Sequence, residues 1–134
     1  MKLTVLAVGR LRPPYADDVE HYLKLLTPIK LEHVEVRDDA QVLGRIPERS
    51  FVVLLDDRGK QFDSVQFSGW IEERRHAGLD VVFVVGGAFG LDLPKVDLRL
   101  SLGRMTLPHQ LARVILLEQL YRAHKILANE PYHH

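Results

Sequence analysis

Short apolar runs alternate with longer amphipathic stretches along the chain. Apolar runs rich in valine and leucine predict strands at residues 3–8, 51–55 and 81–85, and a weaker strand is predicted at 31–36. A further strand is predicted at 98–102, where leucines alternate with Arg99 and Ser101. The runs at 51–55 and 81–85 contain no polar residue, which is typical of strands covered on both faces of a parallel sheet. Because helical patterns separate most of these strands, the sequence predicts an α/β layered fold with a mainly parallel sheet.

Two helices are predicted between the strands, and one short helical turn. The first helix opens after the proline pair at 13–14, since the first helical turn does not need its N–H groups, and it stops at Pro28. The second helix begins with Ser64 as its N-cap and ends at Gly78. A single turn is predicted at 40–43, before Pro47.

The longest predicted helix lies near the end of the sequence. Thr106 is its predicted cap, Pro108 stands in its first turn, and Asn129 with Pro131 forms a typical stop signal. Its predicted apolar face consists of Leu111, Val114, Ile115, Leu120 and Leu127.

Composition and charge narrow the class of protein. The 134 residues favour one domain, no apolar run approaches the ~20 residues that span a bilayer, and the first residues resemble a strand more than a signal peptide. The absence of cysteine excludes thiolate catalysis and Cys-ligated metals, and we expect a cytoplasmic protein. Lys and Arg together number 18, as do Asp and Glu, although residues 101–134 carry a surplus of two positive charges. An anionic partner is therefore expected to meet the C-terminal third.

Three loops follow apolar strands and form the candidate ligand site. They are residues 56–60 (DDRGK), 86–90 (GGAFG) and 103–106 (GRMT). In an open parallel sheet, ligands bind beyond the carboxyl ends of the strands, and glycines allow a ligand to approach the backbone. The sequence lacks a dinucleotide fingerprint, a phosphate-binding P-loop and a nucleophile elbow. We therefore expect a small-molecule site of another kind.

The residues of these loops carry a resemblance to a known family. The segment SLGRMTLPHQLARVILLEQLYRAHKILANEPYHH (101–134) resembles the C-terminal block of the ribosomal RNA large subunit methyltransferase H family, which belongs to the SPOUT superfamily. LLDDRGK (54–60), VVGGAFGLD (84–92) and the opening MKLTVLAVGRLRPPY resemble other parts of the same family in the same order. Two departures are a shorter stretch between Leu31 and Arg49, and Gly103 where the family commonly has serine.

The resemblance implies a fold and an activity. The fold is a SPOUT-type α/β knot, with a mainly parallel sheet flanked by helices and a C-terminal trefoil knot, in one domain over residues 1–134. The activity is methylation of N3 of a pseudouridine in large-subunit (23S) ribosomal RNA, with S-adenosyl-L-methionine as donor and no metal. The implied partners are the large-subunit RNA, in the assembled ribosome, and a second copy of the chain, without a membrane.

The resemblance and the chemistry of the donor together select a cofactor pocket. Leucine side chains are expected to enclose the flat adenine, the backbone of 102–107 to satisfy its edge, and the glycines to let the methionine tail pass. The predicted cofactor-binding residues are Leu55, Gly86, Gly87, Leu102, Gly103, Arg104, Met105, Thr106 and Leu107.

The catalytic candidates lie on the last helix and in the tail that follows. Arg113 is expected to orient a phosphate or the base oxygens, or else to pair with Glu118 on a solvated face. Tyr132 and His133 are expected to reach the substrate across a dimer, with His133 as candidate base, although a terminal His133–His134 pair is also typical of a purification tag. The expected phosphate contacts are Arg58, Lys60, Arg104, Arg113 and Arg122.

Other functions remain open at this point. A related methyltransferase acting on transfer RNA or another base would bind the same donor through the same loops. A non-catalytic ribosome-associated α/β module would keep the fold with a vestigial pocket. A small nucleotide-binding regulator is disfavoured because the phosphate-binding loops are missing.

Overall fold

The computed structural model describes residues 1–87 and 91–132 as alternating strands and helices. Two short 3-10 turns occupy Asp39–Gln41 and Leu43–Arg45. The regular elements are β1 (Leu3–Val8), α1 (Tyr15–Leu25), β2 (Leu31–Val36), β3 (Phe51–Gln61), α2 (Ser64–Ala77), β4 (Val81–Val85), β5 (Leu98–Ser101) and α3 (His109–Leu127).

The strands form one sheet in the order β2-β1-β4-β3-β5, and all four strand pairs are parallel. The predicted α/β fold with a parallel sheet is therefore confirmed. β1 and β4 lie inside the sheet and bury every residue, as their mainly apolar sequences require. The carboxyl ends of all five strands consequently meet at one edge of the sheet.

The two faces of the sheet are covered unequally. Apolar side chains of α1, α2 and α3 pack with one face into the larger core, which includes Phe83 and Leu117. The opposite face packs against Val42 from the 3-10 region and against the segment 91–96. Only a thin layer covers this face, as expected from the small number of residues between β2 and β3. The turn predicted at 40–43 is present as these two 3-10 turns.

β3 differs from its prediction at the carboxyl end. The sequence predicts a loop at 56–60, whereas the strand continues to Gln61 with an irregularity in its pairing. Leu55 and Lys60 both lie opposite Leu100 of β5, so residues 56–59 bulge out of the ladder between them. Long-range pairing with β5 imposes this geometry, and no local pattern encodes it.

β5 passes unusually close to Gly59 in this bulge. A Cβ atom added at Gly59 would lie 2.5 Å from both the carbonyl carbon and the oxygen of Arg99. Only glycine therefore fits this position without a shift of β5. The trefoil knot implied by the resemblance remains a prediction.

Two predicted helix caps are wrong, although the helices exist. Asp63 caps α2 through a capping box with Gln66, and Ser64 instead donates to Gln119 from α3 over 2.7 Å. Pro108 occupies the N-cap position of α3, while Thr106 donates to a carboxylate of β3. The ends predicted at Gly78 and Asn129 are confirmed, because both residues adopt positive φ next to the last helical turn.

The buried face of α3 also differs from its prediction. Only Leu120 of the predicted apolar face is fully buried, and Leu127 is exposed. The helix has apolar residues on almost every side, so helical spacing alone does not identify the inward face. Contacts with α1 and α2 place a different stripe inside: Gln110, Arg113, Leu116, Leu117, Leu120 and Ala123.

Candidate functional site

An open cleft of about 940 Å³ lies at the carboxyl ends of β3, β4 and β5. The cleft combines the ends of three strands with the segment that joins β5 to α3, as expected for a ligand site in a parallel sheet. It brings together eight of the nine predicted cofactor-binding residues: Leu55, Gly86, Gly87, Leu102, Gly103, Met105, Thr106 and Leu107. Arg104 belongs to the same segment, but it does not line the cleft.

The segment 102–107 is held in place by hydroxyl groups. Ser101 is buried, and its Oγ donates to the carbonyl of Gly103 over 2.7 Å and accepts from the Gly103 amide over 3.1 Å. Gly103 has a φ of 152°, which favours glycine at this position. Thr106 Oγ1 donates to Asp57 Oδ2 over 3.1 Å. The segment is thereby fixed to β3 on the other side of the cleft.

Several backbone donors of this segment are available to a ligand. Within residues 1–87 and 91–132, the amides of Arg104, Met105, Thr106 and Leu107 donate to no protein acceptor. Backbone N–H groups need a partner from water, protein or ligand. The segment can therefore present hydrogen-bond donors to the polar edge of a flat ring.

The polar part of the cleft is mainly acidic. Four carboxylates line it, those of Asp39, Asp56, Asp57 and Asp92, against the two guanidinium groups of Arg58 and Arg99. The Arg58 amide and then the Arg99 guanidinium hold the pKa of Asp56 below its usual range, since both stabilise the ionised carboxylate. The excess of carboxylates in the cleft favours a ligand with positively charged groups over a polyphosphate.

His109 is a lining residue that sequence analysis did not select. Burial, followed by the positive charges of Arg113 and Arg12, lowers the pKa of His109. The imidazole is therefore neutral near pH 7. Ser101 is another site residue that the sequence did not indicate, and Asp57 was predicted only as a member of the loop 56–60. The sequence signal that could identify such residues is a polar side chain close to both the end of a strand and a glycine.

Arg113 does not lie in the cleft. Its side chain is 0% exposed, and its Nη1 donates to Glu35 Oε2 over 2.5 Å. Its Nη2 donates to the carbonyl of Gly9 over 2.9 Å. The predicted alternative, pairing with Glu118, is wrong, because α3 turns Arg113 toward the carboxyl ends of β1 and β2. Burial lowers the pKa of Arg113, while the hydrogen bond to Glu35 opposes that effect.

Gln110 supports the same region from one turn earlier on α3. Its Oε1 accepts from the Arg12 amide and its Nε2 donates to the Arg10 carbonyl, both over 3.0 Å. Arg113 and Gln110 together hold the loop between β1 and α1. We interpret Arg113 as a residue that positions this loop, which adjoins the cleft at Gly9 and His109.

Tyr132 follows α3 in the sequence and packs back against that helix, away from the cleft. Its hydroxyl donates to Glu118 Oε2 over 3.0 Å, and Arg122 binds the same carboxylate while stacking on the Tyr132 ring. Burial and the neighbouring Glu118 raise the pKa of Tyr132 to about 12. Arg122, predicted as a phosphate contact, is thus engaged by Glu118.

Some predictions lie outside the described residues. The candidate base His133 and its neighbour His134 fall there, as do residues 88–90 of the glycine loop. Among the described residues, no cluster of three or more His, Asp or Glu is arranged to hold a metal ion. None of the helices in residues 1–87 and 91–132 is long and apolar enough to cross a membrane.

Comparison with known proteins defines the class to which this fold and cleft belong. A family described as predicted SPOUT methyltransferase matches residues 1–133. The chain belongs to the SPOUT methyltransferase family.

Individual relatives make the comparison more specific. The chain is 39% identical to the ribosomal RNA large subunit methyltransferase H of Carboxydothermus hydrogenoformans and 42% identical to that of Ruminiclostridium cellulolyticum. Each alignment covers 99% of both chains over 158 positions, so these relatives have residues that the 134-residue chain lacks. A relative of the same name from Christiangramia forsetii is 40% identical over 90% of this chain and 85% of its own.

Proposed function

We propose that this protein transfers a methyl group from S-adenosyl-L-methionine to N3 of a pseudouridine in large-subunit (23S) ribosomal RNA. The single observation that carries the proposal is near full-length similarity to relatives named for large-subunit RNA methylation, at 37–42% identity. The enzyme would act in the cytoplasm, where its ribosomal substrate resides. The cleft supports the proposal because its chemistry suits the donor.

The residues of the cleft fit S-adenosyl-L-methionine. Leu55, Leu102 and Leu107 supply apolar surface for the adenine ring, and the backbone amides of 104–107 suit its edge. The carboxylates Asp39, Asp57 and Asp92 suit the positive sulfonium and ammonium groups. Gly86 and Gly87 leave the β4 end open for the methionine tail.

The donor supplies an electrophilic methyl group when bound. The chain's own task is to align the accepting nitrogen with that methyl group, and orientation alone contributes several kcal/mol. A uracil-type N3 carries a proton at neutral pH, so a base or an anion-stabilising group must also be present. We propose His133 for this task, with Tyr132 fixing the tail from which His133 extends.

The position of Tyr132 favours a role for the C-terminal tail in the cleft of a second copy of the chain. α3 starts at the cleft with His109 and Ala112, whereas Tyr132 packs at Glu118 and Tyr121, roughly 9–14 Å beyond Ala112 along the helix. His133 follows Tyr132 directly in the sequence. We therefore propose a homodimer in which each tail serves the partner's cleft.

The decisive experiment is nucleoside mass spectrometry of large-subunit RNA from cells with and without this protein. We expect loss of one methylated pseudouridine in its absence, and its return when purified protein and donor are added to ribosomes. Methylation found only in transfer RNA would replace the proposal with the related-methyltransferase alternative. Calorimetry that detects no donor binding would favour the non-catalytic module.

Two variants test the assignment of the tail. His133→Ala is expected to lower the methylation rate at saturating donor, while donor affinity measured by calorimetry stays unchanged. A normal rate would remove His133 from the mechanism. His124→Ala is the matched control, since His124 lies in the last turn of α3 and does not line the cleft.

A further inference from the structure

The cations of this electroneutral chain are divided between two kinds of surroundings. Nine of the eighteen Lys and Arg side chains have a carboxylate within 4.0 Å. Among the described residues, the other nine have none. Five of these nine are exposed arginines that share one location: Arg10, Arg12, Arg37, Arg58 and Arg104.

All five lie at the carboxyl edge of the sheet. Arg10 and Arg12 follow β1, Arg37 follows β2 directly, Arg58 lies in the bulge of β3, and Arg104 follows β5. We call these five residues the edge arginines. Because β2 and β5 are the outermost of five strands, the row spans about 19 Å, from four spacings of about 4.8 Å.

The cleft opens in the middle of this row. Gly86 and Gly87 follow β4, the central strand, so edge arginines lie on both sides of the candidate methyl-transfer site. The carboxylates at the same edge are partly engaged already. Asp56 pairs with Arg99, and Asp57 accepts from Thr106.

Most of the paired cations lie elsewhere; Arg99 and Arg113 lie at this edge, but carboxylates within the chain neutralise them. Lys24, Arg75 and Lys125, for example, bind carboxylates on or beside their own helices. The zero net charge of the whole chain therefore does not describe the local charge of the surface that meets a ligand. Cations without an internal partner are the ones that can release counterions when they bind phosphate.

We propose that the edge arginines hold the phosphates of the RNA strand on both sides of the target nucleotide. The proposal rests on the proposed function, because it names the surface by which that substrate is bound. It replaces Arg113 and Arg122, which the sequence predicted as phosphate contacts, since both are engaged by carboxylates. Arg58 and Arg104 are retained from that prediction.

β2 provides a matched pair of variants. Lys30 directly precedes this strand and Arg37 directly follows it, and both side chains are exposed without a carboxylate partner within the described part of the chain. Arg37→Glu and Lys30→Glu change the net charge equally, but they do so at opposite ends of β2. Neither residue lines the cleft.

Binding to purified large ribosomal subunits, measured at several salt concentrations, tests the proposal. Arg37→Glu is expected to weaken binding about 10-fold and to reduce the slope of log affinity against log salt by about 1. Lys30→Glu is expected to stay within about 2-fold of the unmodified protein. Arg104→Glu, on the other side of the cleft, is expected to behave like Arg37→Glu.

The outcomes separate this proposal from the proposed function. Equal effects of Arg37→Glu and Lys30→Glu would mean that only net charge matters, and would overturn the edge surface while methylation stands. An unchanged salt slope in both Arg37→Glu and Arg104→Glu would overturn it too. Failure of the unmodified protein to methylate large-subunit RNA would overturn the proposed function itself. Donor affinity measured by calorimetry is expected to be the same for Arg37→Glu and Lys30→Glu.

Discussion

Gly59 provides the sharpest test of how β3 and β5 form the wall of the cleft. Replacement by alanine adds one methyl group at a point where the backbone of β5 already lies. The new Cβ atom would be 2.5 Å from the carbonyl carbon and oxygen of Arg99 and 2.9 Å from the amide nitrogen of Leu100. Contacts of this length do not occur in folded proteins, so one of the two strands must move.

The cost follows from what prevents that movement. Ordinary contact begins near 3.4 Å, so the strands must separate by about 0.9 Å. Leu100 pairs with β3 on both sides of the bulge, at Leu55 and at Lys60, so β5 cannot retreat without losing ladder hydrogen bonds. Overpacking costs about 1–3 kcal/mol, and we expect the free energy of unfolding to fall by the upper part of this range.

Urea unfolding at one fixed protein concentration measures this change. With a slope near 2 kcal/mol per molar urea, a loss of about 2 kcal/mol lowers the midpoint by about 1 M. Gly69→Ala is the matched control, because nothing lies within 4 Å of its added Cβ and it stands inside α2. That variant is expected to gain about 0.5–1 kcal/mol. A Gly59→Ala protein with an unchanged midpoint would refute the close passage of the two strands.

Three further predictions concern the site and its supports. Gly86→Val is expected to abolish donor binding in calorimetry while the circular dichroism spectrum is retained; unchanged affinity would contradict the assigned pocket. Arg113→Met leaves Glu35 without its ion-pair partner, and because Glu35 is partly exposed we expect a loss of about 1–3 kcal/mol in urea unfolding, with an undiminished midpoint as the contrary result. Burial and then Arg113 lower the pKa of His33 below 6.5, so the unfolded chain binds protons first and stability should fall as pH drops below about 6.5. His33→Gln should flatten this dependence, and an equally steep profile would exclude His33 as its source.

The sheet was predictable because its signal is local. The apolar runs at 51–55 and 81–85 and the nearly apolar β1 mark strands buried on both faces, and parallel strands bring their carboxyl ends to one edge. The three loops of the cleft follow from that rule together with their glycines. The resemblance then supplied the donor and the residues assigned to it, which spacing alone did not provide.

The remaining features depend on partners distant in sequence. Arg113 pairs with Glu35, 78 positions away, and no periodicity in α3 identifies that contact. The bulge of β3 exists because Leu100 pairs with both Leu55 and Lys60. Thr106 resembles a helix cap in sequence, yet Asp57 competes for its hydroxyl once the cleft has formed. Each difference arises where tertiary structure overrides a local preference.

The thin covering on the second face of the sheet has a dynamic consequence. Asp39 contributes to the cleft from a stretch whose fully buried anchor is Val42, with Ile46 only partly buried beside it. Burial of one valine is worth about 1.5–3 kcal/mol, much less than the stability of a whole domain. Local opening of this stretch therefore exposes one side of the cleft to solvent while β1 and β4 stay intact. We therefore expect the amide hydrogens of residues 39–46 to exchange before those of β1 and β4.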